Sequence, residues 1–166
     1  MNRSRRARTL LEVYAGRTPM PEKQTLQRAR RDKREGKAAS TQAGEFVREE
    51  IEHIRHGKHG ARNTKQAIAI GLSKARRSGV NLPPPEEGEA SARTRRSAKS
   101  ALRNRGRKAS PRRSRAVRSA LKREGHAAAS HTALSRQAHK AASKRSARSR
   151  SAAARKAART RARKSA

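Results

Sequence analysis

From Ala90 to Ala166 the chain carries one acidic residue, Glu124, against 26 lysines and arginines, and it has no aromatic residue there at all. That pattern limits the fold more than any other feature, because cores are normally built on large apolar side chains and like charges resist compaction. The segment holds +25 of a total formal charge of +34, so nearly half of the 166 residues form a polycation with little to bury. Such a segment is suited to lie against a polyanion, and nucleic acid is the commonest polyanion inside a cell.

The remaining composition points the same way. With 31% hydrophobic, 35% charged and 1% aromatic residues, the chain lies toward the disordered end of composition space, and only a short piece is expected to fold independently. Cysteine is absent, which excludes disulfides and thiolate metal sites. No apolar run approaches the roughly 20 residues needed to cross a bilayer, so no membrane span is expected. The opening MNRSRRARTLLEVYAGRTP has an apolar patch at Leu10, Leu11, Val13 and Tyr14, but Glu12 interrupts it and it is too short for a secretory core. A start at Met20 is an alternative reading of this stretch, and the expected location is cytoplasmic, on the nucleoid.

Four regions follow from the pattern. Residues 1–39 read as a basic or mixed-charge arm, of which 21–39 are expected as a solvated helix or a flexible segment. Residues 40–79 read as a helical hairpin. Ser40 or Thr41 can cap a helix over about 41–56 whose Ala43, Phe46, Val47, Ile51 and Ile54 recur at helical spacing, and Gly57 can end it. Asn63 with Gln66 resembles a capping box opening a second helix over about 64–78, with Ala67, Ile68, Gly71, Leu72 and Ala75 on one face. Gly71 on that face lets the two helices approach closely. Glu50 falls inside the apolar stripe of the first helix and is expected to pair with a cation from the second, the alternative being a contact with another chain.

Residues 80–90, with Pro83-Pro84-Pro85 and the acids Glu86, Glu87 and Glu89, read as a stiff linker. Residues 91–166 read as an Ala/Arg/Lys/Ser-rich tail, largely disordered or only conditionally helical. Ser110-Pro111 and Ser130 are candidate starts for weak helices over 111–124 and 131–143, the first with Val117, Ala120 and Leu121 on one side and the pair able to form a second hairpin. The expected fold is therefore mainly α: a short helical hairpin and a long basic tail.

Candidate contacts to nucleic acid come from three places. Lys65, Gln66, Ser73, Arg76 and Arg77 share the arc of the second helix opposite its apolar face. Arg105-Gly106-Arg107-Lys108, followed by Ser110-Pro111-Arg112-Arg113 and Arg115, has an Arg-Gly-Arg core that can lie in a narrow minor groove, with sequence-blind phosphate contact as the plainer use. The end of the tail adds Arg155, Lys156, Arg159, Arg161, Arg163 and Lys164. His53, His56 and His59 have a spacing that could ligate Zn²⁺ or Ni²⁺, but Gly57 breaks the helix between the second and third, and loop histidines in a basic protein are the expected account. No metal, cofactor or catalytic group is expected. The carboxylates fall on exposed faces or in the acid cluster, and no nucleophile motif or phosphate-cradling loop is present.

The block NTKQAIAIGLSKARRSG, Asn63 to Gly79, resembles a family of small bacterial basic proteins whose shared block reads close to RKQAIAIGLSEARR, and the preceding GEFVREEIEHIRHGKHG fits that family's upstream helix. The likeness covers roughly Ala43 to Gly79 and implies a DNA-binding or histone-like role. The tail segment AAARKAARTRARK is similar to the C-terminal domains of linker-histone-like bacterial proteins, with Arg favoured where those favour Lys. The expected function is a nucleoid-associated, histone-like protein that binds duplex DNA through phosphates, without strong sequence preference, and bridges or condenses it. The hairpin is a candidate for self-association. Two alternatives are an RNA-binding or ribosome-associated basic protein, and a protein-interaction module with a basic arm.

Overall fold

The computed structural model describes residues 21–107 and 110–165, and every regular element among them is helical, as the mainly α expectation required. In chain order these are α1 Lys23–Arg34, α2 Ala39–Arg55, α3 Thr64–Arg77, α4 Ala92–Arg103, α5 Pro111–Lys122, a 3-10 turn at Ala127–Ala129, α6 His131–Ser143 and α7 Ala147–Ser165. The chain divides into two units, one ending at Ala129 and the other beginning at Ser130.

The centre of the first unit is the pairing of α2 with α3. Asn63 caps α3 by accepting the Gln66 amide at 2.9 Å, and the Gln66 side chain turns back to accept the Arg62 amide at 2.9 Å. Two of the amides that open the helix are thereby satisfied. At the end of α2, Gly57 takes φ +69°, a left-handed conformation that glycine adopts without steric penalty. The cap of α2 itself differs from expectation: Ala38, not Ser40 or Thr41, is the N-cap, with no side-chain hydrogen bond.

Ala67, Gly71 and Ala75 form the buried stripe of α3. Small residues there bring the two backbones into contact, and a Cβ placed on Gly71 would lie 2.6 Å from Val47 Cα and 2.9 Å from Val47 N. Backbone atoms in a packed helix cannot swing aside as a side-chain tip can. Alanine at Gly71 gains about 1 kcal/mol of helix propensity but forces overpacking worth about 1–3 kcal/mol, so we expect Gly71→Ala to destabilise the fold by about 1 kcal/mol. The midpoint of urea unfolding measures this.

The arm expected to be solvated contributes to the same core. α1 packs on α2 through Thr25, Ala29 and Asp32, which recur at i, i+4 and i+7 on one face. These residues are too small or too polar for a hydrophobicity pattern to register, which is why a solvated helix or flexible arm is the reading that the sequence supports there. The core cluster joins Ala29, Ala43, Phe46, Ala75 and Val80, with Leu26, Ala39, Leu72 and Leu82 packed around it. Val80 and Leu82 come from the stretch read as a linker, so its first residues are core rather than spacer. Phe46, 1% exposed, is the one large aromatic that the whole arrangement closes over.

The basic half departs most from expectation, since it is helical over four segments rather than largely disordered. A repeated local device accounts for this. Ser91, Ser110, Ser130 and Ser146 each accept the amide three residues on, from Thr94, Arg113, Ala133 and Ser149, at 3.2–3.3 Å. Each serine satisfies an amide that would otherwise lack a partner, and the alanine-rich sequence that follows has high helix propensity. α4 also packs on α3 and buries Ala98 and Ala101. Near α5 the expected apolar side is not the buried one: Ser114 is buried and Val117 is 47% exposed.

After α5 the chain docks on the turn of the hairpin. Gly60 N donates to Leu121 O at 2.9 Å, Ala61 N to Gly125 O at 3.0 Å, Thr64 Oγ1 to Ala128 O at 2.8 Å and Arg55 Nε to Ala129 O at 2.9 Å. The 3-10 turn thereby packs against α2 and α3. In the second unit, α6 buries no residue.

Candidate nucleic-acid interface and a buried ionic cluster

Many acids of the first unit are paired with cations of the same unit, and Asp32, Glu49 and Glu50 are buried. Glu45 pairs with Arg28, Asp32 and Glu35 with Lys37, Glu52 with Arg48, and Glu87 with Arg95. Glu49 and Glu50 are buried in the hairpin and share Lys74, whose Nζ lies 3.7 Å from Glu49 Oε1 and 2.5 Å from Glu50 Oε2. The pairing required by the position of Glu50 thus comes from α3. Three of the unit's acids are thus taken out of the surface, while most of its lysines and arginines stay exposed.

The arc expected on α3 is only partly available. Lys65 and Arg77 are exposed and Ser73 is half-buried. Arg76 is buried, and its guanidinium donates to Leu82 O at 3.1 Å and Pro83 O at 2.9 Å, with burial pushing its pKa below the usual arginine range. Its charge-bearing group is a clasp on the start of the linker, not a phosphate contact. Gln66 is likewise engaged in the helix cap. Helical phase alone put both on the outer arc, because the chain returning at Leu82 and the loop before α3 are tertiary features.

Arg105 is exposed but donates to Asn81 Oδ1 at 2.9 Å, and Arg107 is exposed. Lys108 lies outside the described residues. Ser110-Pro111-Arg112-Arg113 forms the cap and first turn of α5, so the extended ribbon that would lie flat in a minor groove is not formed there. Arg112, Arg113 and Arg115 are exposed on that helix instead. Arg155, Lys156, Arg159, Arg161 and Arg163 are exposed on α7, which also includes Lys164. Arg93, Arg96, Lys99 and Arg103 of α4 are exposed as well and were missed in the sequence. The signal was there: with Ala98 and Ala101 inward, helical spacing sends these four outward.

Around the hairpin turn lies a second feature, made of the histidines. His53 is on α2, three residues after Glu50, and His59 follows Gly57; both are buried. His53 Nε2 donates to Glu22 Oε1 at 2.9 Å, and Lys58 Nζ reaches the same oxygen at 3.1 Å. Hydrogen bonds from His53 and Lys58 hold the Glu22 carboxyl down at about 2. His59 Nδ1 donates to Gly60 O at 3.1 Å, and its Nε2 stands 3.2 Å from Glu50 Oε1. The two imidazoles meet edge to face with centroids 6.2 Å apart. His56, the middle member of the spacing, is exposed. His53 on α2 and His59 in the following turn are not solvated but enclosed beside a buried carboxylate.

Fold and charge together define a class: a chain that is helical in every regular element among the described residues, with exposed lysines and arginines on α4, α5 and α7. Residues 30–86, which take in α2 and α3, match the model of a family of unknown function, DUF6496. No curated protein and no solved structure matches the chain. None of the described helices is long and apolar enough to cross a membrane.

Proposed function

We propose that this protein is a histone-like, nucleoid-associated DNA-binding protein that holds duplexes mainly through their phosphates. The observation that carries this reading is α7. It has eight lysines and arginines and no acid, and every residue from Ala147 to Arg163 is exposed or half-exposed. A helix with no buried face gains little from tertiary packing, and its like charges oppose its formation. At about 1.5 Å per residue α7 runs roughly 28 Å, a length over which duplex DNA presents about 17 phosphate charges, so a polyanion of that density offsets the repulsion. The exposed cations of α4 and α5 add to the charge available for phosphate contact, and the hairpin unit positions the chain or joins it to another copy.

Counterion release should dominate the affinity. If about 10 to 15 phosphates are engaged, log K will fall against log[salt] with a slope of roughly −9 to −13 in an anisotropy titration of the full chain. A slope near −2 would overturn the reading. The rival is a structured-RNA binder, since extended basic segments also follow A-form backbones. Among the described residues no aromatic other than Phe46, which is buried, is available to stack on single-stranded bases, so a single-strand reader is disfavoured. Competition between duplex DNA and structured RNA at fixed salt separates the two.

A further inference from the structure

We propose that Glu50, His53 and His59 form a binding site for a divalent transition metal of the Zn²⁺ type, which would clamp the end of α2 to the hairpin turn. All three residues are buried, and each can bring one ligand atom within 4.8 Å of the others. Nitrogen and carboxylate donors at that spacing suit Zn²⁺ and its neighbours in the first row, and the set leaves one tetrahedral position for water.

The hydrogen bonds on the far sides of the two rings favour a metal. Glu22 accepts from His53 Nε2, and the Gly60 carbonyl accepts from His59 Nδ1. A carboxylate behind one imidazole and a backbone carbonyl behind the other are the usual second layer of a histidine metal site, because they fix the tautomer and leave the opposite nitrogen as a lone pair. Here those nitrogens are His53 Nδ1 and His59 Nε2. His53 Nδ1 is buried without a hydrogen-bond partner, and so is Glu50 Oε1, whose companion oxygen lies against Lys74 Nζ. A buried acceptor left in that state carries a desolvation penalty.

His59 Nε2 and Glu50 Oε1 stand 3.2 Å apart but are not aligned for a hydrogen bond. That separation is close to the roughly 3.3 Å between two ligands of one tetrahedral ion with bonds of about 2.0–2.1 Å. Charge points the same way. Lys74 balances only one of the two buried carboxylates, Glu49 and Glu50, and a cation at the histidines balances the other.

The test is titration of the metal-free full-length protein with Co²⁺, whose visible spectrum reports tetrahedral coordination, followed by displacement with Zn²⁺. One equivalent of Co²⁺ is expected to give that spectrum, and Zn²⁺ to remove it and raise the unfolding midpoint. His53→Gln and His59→Gln should each abolish the stoichiometric spectrum and the Zn²⁺-induced rise. Glu22→Gln, which keeps an acceptor for His53 Nε2 but removes the charge that His53 and Lys58 share, should weaken binding by about 10-fold. His56→Gln and His126→Gln should change nothing. Circular dichroism checks that the variants keep their helices; if either ligand variant unfolds, the Glu22→Gln affinity and the wild-type stoichiometry still decide. Absence of a one-equivalent Co²⁺ spectrum in the wild type overturns the proposal. Its survival in folded His53→Gln and His59→Gln variants, which would place the ion on surface histidines, does so too.

Discussion

A chain ending at Ala129 will bind duplex DNA at least about 100-fold more weakly than the full chain at about 0.15 M salt, and its salt slope will be shallower by about 5. Residues 130–166 carry 12 lysines and arginines and no acid, so their removal takes away nearly half of the cations that follow Glu89. If about six of the twelve engage phosphates, both figures follow, because each released counterion contributes about 0.9 to the slope. The cut must fall at Ala129 and not at the charge break near Ala90. A cut at Ala90 would strip α4 from α3, and with it the 3-10 turn at Ala127–Ala129 that covers α2 and α3, so lost binding could not be told from lost folding. The truncated chain should keep the unfolding transition of its hairpin unit. Unchanged affinity and slope would confine DNA binding to the first unit. Undiminished binding of a protein partner, with no salt-sensitive DNA binding in either chain, would favour the interaction-module reading.

Gly60→Ala will be among the most damaging single methyl additions in the chain. A Cβ at Gly60 would lie 1.9 Å from the Glu124 carbonyl oxygen and 2.4 Å from its carbon, a clash with backbone that no rotamer change relieves. The segment after α5 must then move off the turn and give up Gly60 N→Leu121 O and Ala61 N→Gly125 O. Two backbone hydrogen bonds lost, with buried amides stranded beside a displaced chain, should destabilise the first unit by about 2–4 kcal/mol. Urea unfolding gives the magnitude. Amide exchange gives the mechanism: Gly60 and Ala61 should lose protection while the centre of α3 keeps its own relative to global unfolding. Full protection of both amides in the variant would refute this account of the docking. Because His59 precedes Gly60 and donates to its carbonyl, the same variant should also disturb the histidine cluster.

Local signals in the sequence were reliable where neighbouring residues decide the outcome. Asn63 with Gln66, Gly57 and the Ser110-Pro111 step act within a turn of themselves, and each took the role its chemistry prescribed. The spacing of Ala67, Gly71 and Ala75 likewise implied a close helix contact, and the Val47 backbone is there to meet it. Reading failed where partners come from far along the chain. α1 buries small and polar residues that leave no hydrophobic trace, and Arg76 was placed on an outer arc that the returning chain covers at Leu82 and Pro83. The histidines show the same limit. Their spacing alone, with a helix break at Gly57, implies that they separate, whereas the turn folds His59 back beside Glu50 and His53.

The sequence by itself determined that this chain is mainly helical and that it is overwhelmingly cationic beyond Glu89, though not that the cationic part is helical throughout, because caps and formal charge are properties of residues and their near neighbours. Only the tertiary structure decided which charges remain at the surface. Burial of Glu49 and Glu50 against Lys74, the clasp of Arg76 on the linker and the enclosure of His53 and His59 all depend on which segments meet. In a chain with one phenylalanine, contact between distant segments rests on small residues and ion pairs, and neither leaves a periodic hydrophobic mark in the sequence.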